Sequence, residues 1–453
     1  MKSVAYLLII LTLFTGLRES VAQVAFAPAA NYPVGTGPNS VAAADVNGDG
    51  KVDLICAVGG NNKLLVLTNN GSGVFGSNAS YAVFTNPESV VAADVNGDGK
   101  VDLISYSSSG NLRVFTNNGS GSFANAGNYT AGLYNIYGVV IAADVNGDGR
   151  VDIMCPGIGN TLMVLTNAGN GIFVSAPTLP STPGSSWFAV ATDVNGDGKM
   201  DLIDVDGANT FGYMRVLTNA GDGTFALCSS NTLTTRWPGI GTTVDINRDG
   251  HAALVVPDYD SGSGSSLTVY TNDGTGFFGS NATYVVDRGP LCVIAADVQG
   301  DGRMDLISAN LSTSSGTLTV LTNNGNGGFG SNSTLNVDHF PISIVAADVD
   351  GNGKMDLITA NESGNTISVL INSSIFPPPG SAPVLAINPS PFGLSVSWPS
   401  ASAGWSLQQT PDLTTTNWSP SGYIGYGISD DGTNKSLLIS PPVRNLFFRL
   451  LHP

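Results

Sequence analysis

Residues 45–53 read Asp45-Val46-Asn47-Gly48-Asp49-Gly50-Lys51-Val52-Asp53, and this stretch decides how the rest of the chain is read. Side-chain oxygens stand at positions one, three, five and nine, from Asp45, Asn47, Asp49 and Asp53, so that a curling loop turns them toward one centre. The carbonyl of Lys51 at position seven can join them, and Gly50 at position six permits a backbone conformation that a Cβ opposes. Hard oxygen donors without His or Cys select calcium over zinc or copper, with magnesium, which keeps its waters, as the weaker alternative.

The pattern returns at Asp94, Asp144, Asp193, Asp245, Asp297 and Asp348, at intervals of 49 to 52 residues. That interval holds four short strands with their turns, which predicts one propeller blade per repeat. Asp94, Asn96, Asp98, Lys100 and Asp102 supply the second donor set; Asp144, Asn146, Asp148, Arg150 and Asp152 the third; Asp193, Asn195, Asp197, Lys199 and Asp201 the fourth. The sixth is Asp297, Gln299, Asp301, Arg303 and Asp305, where the longer amide is expected to bind less well. The seventh, Asp348, Asp350, Asn352, Lys354 and Asp356, is complete. In the fifth, Asp245, Asn247 and Asp249 are followed by Ala253 at position nine, so this site is expected to be weak or empty. Asp, Asn and Gly also build ordinary turns, but intact copies at fixed spacing favour the metal. Twenty of the 34 acidic residues belong to these loops, and seven dications would bring the formal charge of −17 to −3.

Between the loops the chain alternates like strands. Val-Ala-Ala-rich segments precede each loop, Asp-Leu-Ile or Asp-Ile-Met follows, and a third apolar run ends in a Thr-Asn-x-Gly-x-Gly-x-Phe turn. The turn phenylalanines are Phe75, Phe123, Phe173, Phe225, Phe278 and Phe329, six for seven loops. Residues Val24 to Pro33, with Phe26, supply the missing fourth strand and are expected to close the ring, which removes exposed sheet edges.

The loop is similar to the first half of an EF-hand loop, but it lacks the Glu at position twelve. The spacing, the Asp-x-Asn-x-Asp-Gly-x-x-Asp loop, and the pairs Phe75-Gly76, Phe278-Gly279 and Phe329-Gly330 resemble the FG-GAP or VCBS repeat family, to which the propellers of integrin α subunits belong. The resemblance implies an all-β, seven-bladed β-propeller over residues 23–376, with calcium as a structural ion. It also implies calcium loops between the first and second strands of each blade on one face, and a ligand on the opposite face.

Composition sets the surroundings. Charged residues make up 11% of the 453, glycine contributes 57 and hydrophobic residues 42%, which argues against disorder and coiled coil. Seventeen basic residues against 34 acidic ones repel phosphate backbones and anionic lipid, so nucleic acid is not an expected partner. Lys2, the apolar run from Val4 to Phe14 and Ser20-Val21-Ala22 read as a signal peptide over residues 1–22, cleaved before Gln23. Eleven apolar residues fall short of the ~20 that span a membrane, so the mature chain is expected to be secreted, to have no transmembrane segment and to be a monomer. Cys56, Cys155, Cys228 and Cys292 show no pairing pattern and read as free core thiols.

The loops expected opposite the calcium sites carry Tyr134, Tyr137, Trp187, Phe211, Tyr213, Arg236, Trp237, Asp258, Tyr259 and Asp260. Aromatic rings beside polar groups suit stacking on sugars or anchoring a protein, although such side chains also pack under longer loops. A glycan or extracellular protein is therefore the expected ligand of a non-catalytic binding or adhesion protein. Only His251, His339 and His452 represent histidine, and no Gly-x-Ser-x-Gly elbow, zinc-spaced cluster or phosphate loop appears. The alternatives are a carbohydrate-active hydrolase or lyase using Asp258 and Asp260, and a structural cell-surface component.

Residues 377–382 read as a Pro-rich linker, and residues 383–453 as a small β-sandwich-like domain in which Trp398, Trp405 and Trp418 fill the core.

Overall fold

The structure, a computed structural model, describes residues 24–131, 140–156, 161–176, 179, 185–207, 211–311 and 315–374, and seven short strands between Ala386 and Leu451. The signal peptide, the linker and Tyr134, Tyr137, Trp405 and Trp418 lie outside the described residues.

Seven four-stranded antiparallel sheets follow one another from residue 30 to residue 370, and each is one blade of a seven-bladed propeller. Blade one consists of Pro38–Ala44, Asp53–Val58, Lys63–Asn69 and Phe75–Ala82, in that order from first to fourth strand. The second strand shows why the blades stack. All six residues of Asp53–Val58 are buried, because each face meets a neighbouring blade. Leu54, Cys56 and Val58 join Ile358, Ala360 and Ile367 of blade seven, whereas Ile55 and Ala57 join Leu103 and Phe115 of blade two. A period of two thus serves two interfaces, and the core is a ring of such clusters. Burying each Leu or Ile contributes roughly 2 kcal/mol.

The ring closes as the sequence predicts. Ala30–Pro33 pairs antiparallel with Thr366–Leu370, with Ala30 opposite Val369 and Pro33 opposite Thr366, and becomes the fourth strand of blade seven. The continuous strand is shorter than the expected 24–33, but Phe26 bridges Asn372 just as Phe75 pairs Asn69 in blade one. The turn phenylalanines are inter-blade packers. Tyr32 lies edge-on to Phe75 at 5.6 Å, Tyr81 to Phe123 at 5.4 Å and Tyr284 to Phe329 at 5.3 Å, each Tyr from one blade against the Phe of the next. By contrast, a Cβ at Gly76, Gly279 or Gly330 would meet nothing within 4 Å, and no steric demand accounts for glycine there.

All four cysteines are free as expected, with Cys56, Cys155 and Cys292 buried, but Cys228 is only half-buried on a fourth strand and is not the core thiol expected. Near the C-terminus, Ala386–Ser390, Gly393–Pro399, Asn434–Ile439 and Ser429–Asp430 form one sheet, and Ser419–Pro420, Ser406–Thr410 and Phe447–Leu451 form another. Val396, Trp398 and Leu437 are buried, so Trp398 is a core side chain as expected. Among the described residues no helix is long and apolar enough to cross a membrane.

Candidate metal centres and the opposite face

Each of the seven loops joins the first strand of its blade to the second, on one face of the propeller. Loop one builds itself from its own side chains. Asp45 Oδ1 accepts from the Gly48 N–H at 2.7 Å and Oδ2 from the Gly50 N–H at 2.7 Å, while Asn47 Oδ1 accepts from Asp49 N–H at 2.9 Å. Gly48 and Gly50 sit at φ +76 and +80, the left-handed region that glycine enters without cost. Asp49 Oδ1 accepts from the Lys51 N–H at 3.0 Å, and the Lys51 ammonium lies 3.4 Å from Asp49 Oδ2. The same ion pair recurs as Lys100–Asp98, Arg150–Asp148, Lys199–Asp197 and Arg303–Asp301.

Position nine differs in kind. Asp53, Asp102, Asp152, Asp201, Asp305 and Asp356 are all fully buried. In each, one carboxylate oxygen accepts from the position-two N–H and the other from an Asn N–H at the end of the third strand. In blade two, Asp102 accepts from Val95 at 3.1 Å and Asn117 at 2.7 Å; in blade seven, Asp356 accepts from Val349 at 2.9 Å and Asn372 at 2.7 Å. Burial raises the pKa of all six, backbone donors oppose it, and nearby loop carboxylates add to it. Asp305 is pushed up to about 7 and Asp356 to about 6. Six buried carboxylates held beside other carboxylates form a set that a cation would relieve.

Loop seven brings its carboxylates closest. Asp348, Asp350 and Asp356 place one oxygen each within 4.8 Å of one another. It alone has Asp rather than an amide at position three, which makes it the strongest oxygen cluster among the described residues. In loop six, Asp297 accepts from Asp301 and Gly302 N–H at 3.1 and 2.6 Å, a similar cradle. Loop five lacks the buried carboxylate, and Ala253 packs among Ile246, Val255 and Leu306 instead. Its donor set lacks the buried carboxylate that a cation would need.

One ring of residues was missed by sequence reasoning. Asn69, Asn117, Asn167, Asn219, Asn272, Asn323 and Asn372 close the third strands, and each Nδ2 donates to the position-two carbonyl of the preceding blade. The acceptors are Val349, Val46, Val95, Val145, Val194, Ile246 and Val298, at 2.7 to 2.9 Å. The recurrent Thr-Asn was visible in the sequence, but as a turn residue.

On the opposite face, Trp187 and Trp237 meet edge-to-face with ring centroids 5.6 Å apart, across blades four and five. The Trp237 carbonyl accepts from the Tyr259 and Asp260 N–H groups, at 3.2 Å each. Tyr259 packs on Leu291, Leu311 and Ile342, so the ring is partly a cover for blades six and seven. Arg236 is exposed, as is Phe211, and Tyr213 stands opposite Asp206 and Thr232 in its sheet. Trp187, Trp237, Tyr259 and Asp260 therefore come together. The two acids of the catalytic alternative are tied locally, Asp258 by the Thr235 hydroxyl at 2.6 Å and Asp260 by the Ser263 hydroxyl at 2.9 Å. Glu88, at the start of the first strand of blade two, escaped notice in the sequence. Burial and the charge of Glu362 push it up to about 7, with Asn86 donating to its carboxylate in opposition.

A family model of FG-GAP-like repeats matches residues 45–105, 94–155, 144–203, 193–256, 245–308 and 297–359. The chain belongs to the FG-GAP-like repeat family. No curated protein sequence matches it. Among solved structures, BBS1N in complex with ARL6DN, soaked with mercury, aligns at a TM-score of 0.55 and 12% identity, over 77% of this chain and 97% of that one. The same complex soaked with lead aligns at 0.55 and 12%, over 79% and 99%. At such identities the likeness is one of fold. An FG-GAP propeller is an interaction module, a frame that displays loops around a rigid ring.

Proposed function

We propose that this FG-GAP propeller is a secreted, calcium-binding protein that holds a glycan or an extracellular protein on the face opposite its metal loops, without catalysis. The observation that carries the metal is the convergence of Asp348, Asp350 and Asp356; loops one to four and six have the same spacing of donors with an amide at position three. The oxygens of positions one, three, five and nine, with the position-seven carbonyl, would hold the ion. Bound calcium supplies positive charge where buried carboxylates meet. The Asx-type turns already fix the loop backbone, so binding need not order the chain first.

The binding face rests on Trp187, Trp237 and Tyr259, rigid aromatic groups beside Arg236 and Asp260. An array of glycans and extracellular-matrix proteins, probed with the full chain in ~1 mM calcium and in chelator, tests the reading. A calcium-dependent hit that weakens at least tenfold in Trp237→Ala supports it. Binding unchanged in Trp237→Ala and Tyr259→Ala would move the site elsewhere, and silence throughout would favour a structural cell-surface role. The hydrolase or lyase alternative predicts turnover that Asp258→Asn abolishes.

A further inference from the structure

Loop five departs from its siblings at three positions together. Arg248 stands at position four where the other six loops have Gly48, Gly97, Gly147, Gly196, Gly300 and Gly351; His251 replaces Lys or Arg at position seven; Ala253 replaces Asp at nine. Arg248 keeps the glycine conformation, with φ +62, a region that a side chain resists. In loops one and three position four lies beside the next blade, where a Cβ at Gly48 would sit 3.5 Å from the Gly119 carbonyl and one at Gly147 3.5 Å from that of Gly221, whereas at Gly97, Gly196 and Gly351 it would meet nothing within 4 Å. From this position the Arg248 side chain crosses into loop six, where Nη2 donates to the Gly302 carbonyl. Burial raises the Asp301 pKa, and the charges of Arg303 and Arg248 work against it. A small cleft between the two loops is lined by Asp245, Arg248, Gly302, Arg303 and Asn323.

We infer that loop five has exchanged a bound cation for a tethered one: Arg248 fastens loop five to loop six, and the junction of blades five and six stays closed whether or not metal is present. The substitutions at positions four and nine are then one change. Ala253 removes the carboxylate a cation would need, and Arg248 brings a permanent positive charge to the neighbouring loop. A guanidinium suits this role because it stays charged at every physiological pH and offers several donors to carbonyl and carboxylate oxygens. The tether itself stands on the Arg248–Gly302 contact, while the idea of an exchange rests on the calcium reading above.

Hydrogen exchange of the full chain in chelator, followed by mass spectrometry, tests the tether. In Arg248→Met the peptide over residues 297–305 should exchange about fivefold faster than in wild type, the factor one surface hydrogen bond supplies; equal rates overturn it. A second arm counts bound calcium. Arg248→Gly with Ala253→Asp restores the sibling residues at positions four and nine, and Ile246 and Asn272 stand where the two backbone donors of a position-nine carboxylate stand in the other blades. This double variant should take up one more equivalent than wild type, and an unchanged count overturns the exchange. If neither chain takes up calcium, the metal reading and the exchange fall together, and the chelator arm alone decides the tether.

Discussion

Asn117 reaches out of its own blade to donate Nδ2–H to the Val46 carbonyl of blade one at 2.8 Å, and Val46 belongs to the candidate metal loop there. The same amide donates to the Val101 carbonyl of its own loop at 2.9 Å, and its backbone N–H donates to Asp102. Two loops and two blades thus meet at one side chain. The inter-blade bond recurs seven times and joins this face of the propeller into a ring.

Asn117→Ala should therefore destabilise the propeller by about 2 kcal/mol, because the buried Val46 carbonyl loses its donor. Asn117→Asp should cost more, since it turns a carboxylate toward two carbonyl oxygens. Urea unfolding of both variants checks this, and a loss below about 0.5 kcal/mol would show that the ring does not bear on stability.

A second buried contact makes a prediction apart from any metal. Arg215 pairs with Asp204 across the strands of blade four, with Asp204 side chain 1% exposed and also bonded by the Ser186 hydroxyl at 2.6 Å. Arg215→Met should cost about 3 kcal/mol by leaving that carboxylate without its cation, while Asp204→Asn with Arg215→Met should recover a large part of it. Equal losses in the single and double variants would count against the pairing.

Glu88 sets a pH dependence. Its pKa in the folded chain is about 7 against an ordinary 4.5, so the folded state keeps the proton to higher pH than the unfolded one. Stability from this group is undiminished below about pH 4.5, falls as pH rises to about 7 and stays lower above, by up to ~3 kcal/mol. Glu88→Gln removes that dependence, so the variant should melt above wild type at about pH 8 and level with it at about pH 4. A difference that does not change with pH would contradict the assignment to Glu88.

The sequence made the repeat, the blade count and the closing strand legible, because Asp-x-Asn-x-Asp-Gly recurs at fixed spacing and Phe26 supplies the missing turn aromatic. The free thiols were legible too, since Cys56 and Cys155 occupy equivalent apolar strand positions. What escaped is what folding brings together from distant positions. Asn69 and Val349 are 280 residues apart, and nothing local marks that bond. Glu88 gains its character first from burial and then from the charge of Glu362, a residue that only folding brings near. The position-nine aspartates looked like loop ligands alone, yet their carboxylates also anchor backbone donors, a role that depends on burial.

The most direct test of the central claim is the thermal midpoint of the full chain in ~1 mM calcium and in chelator. The account predicts a rise of roughly 10 °C with calcium, as expected when several sites bind the folded state alone, and a smaller rise with magnesium at the same concentration. Equal midpoints in calcium and chelator would contradict it.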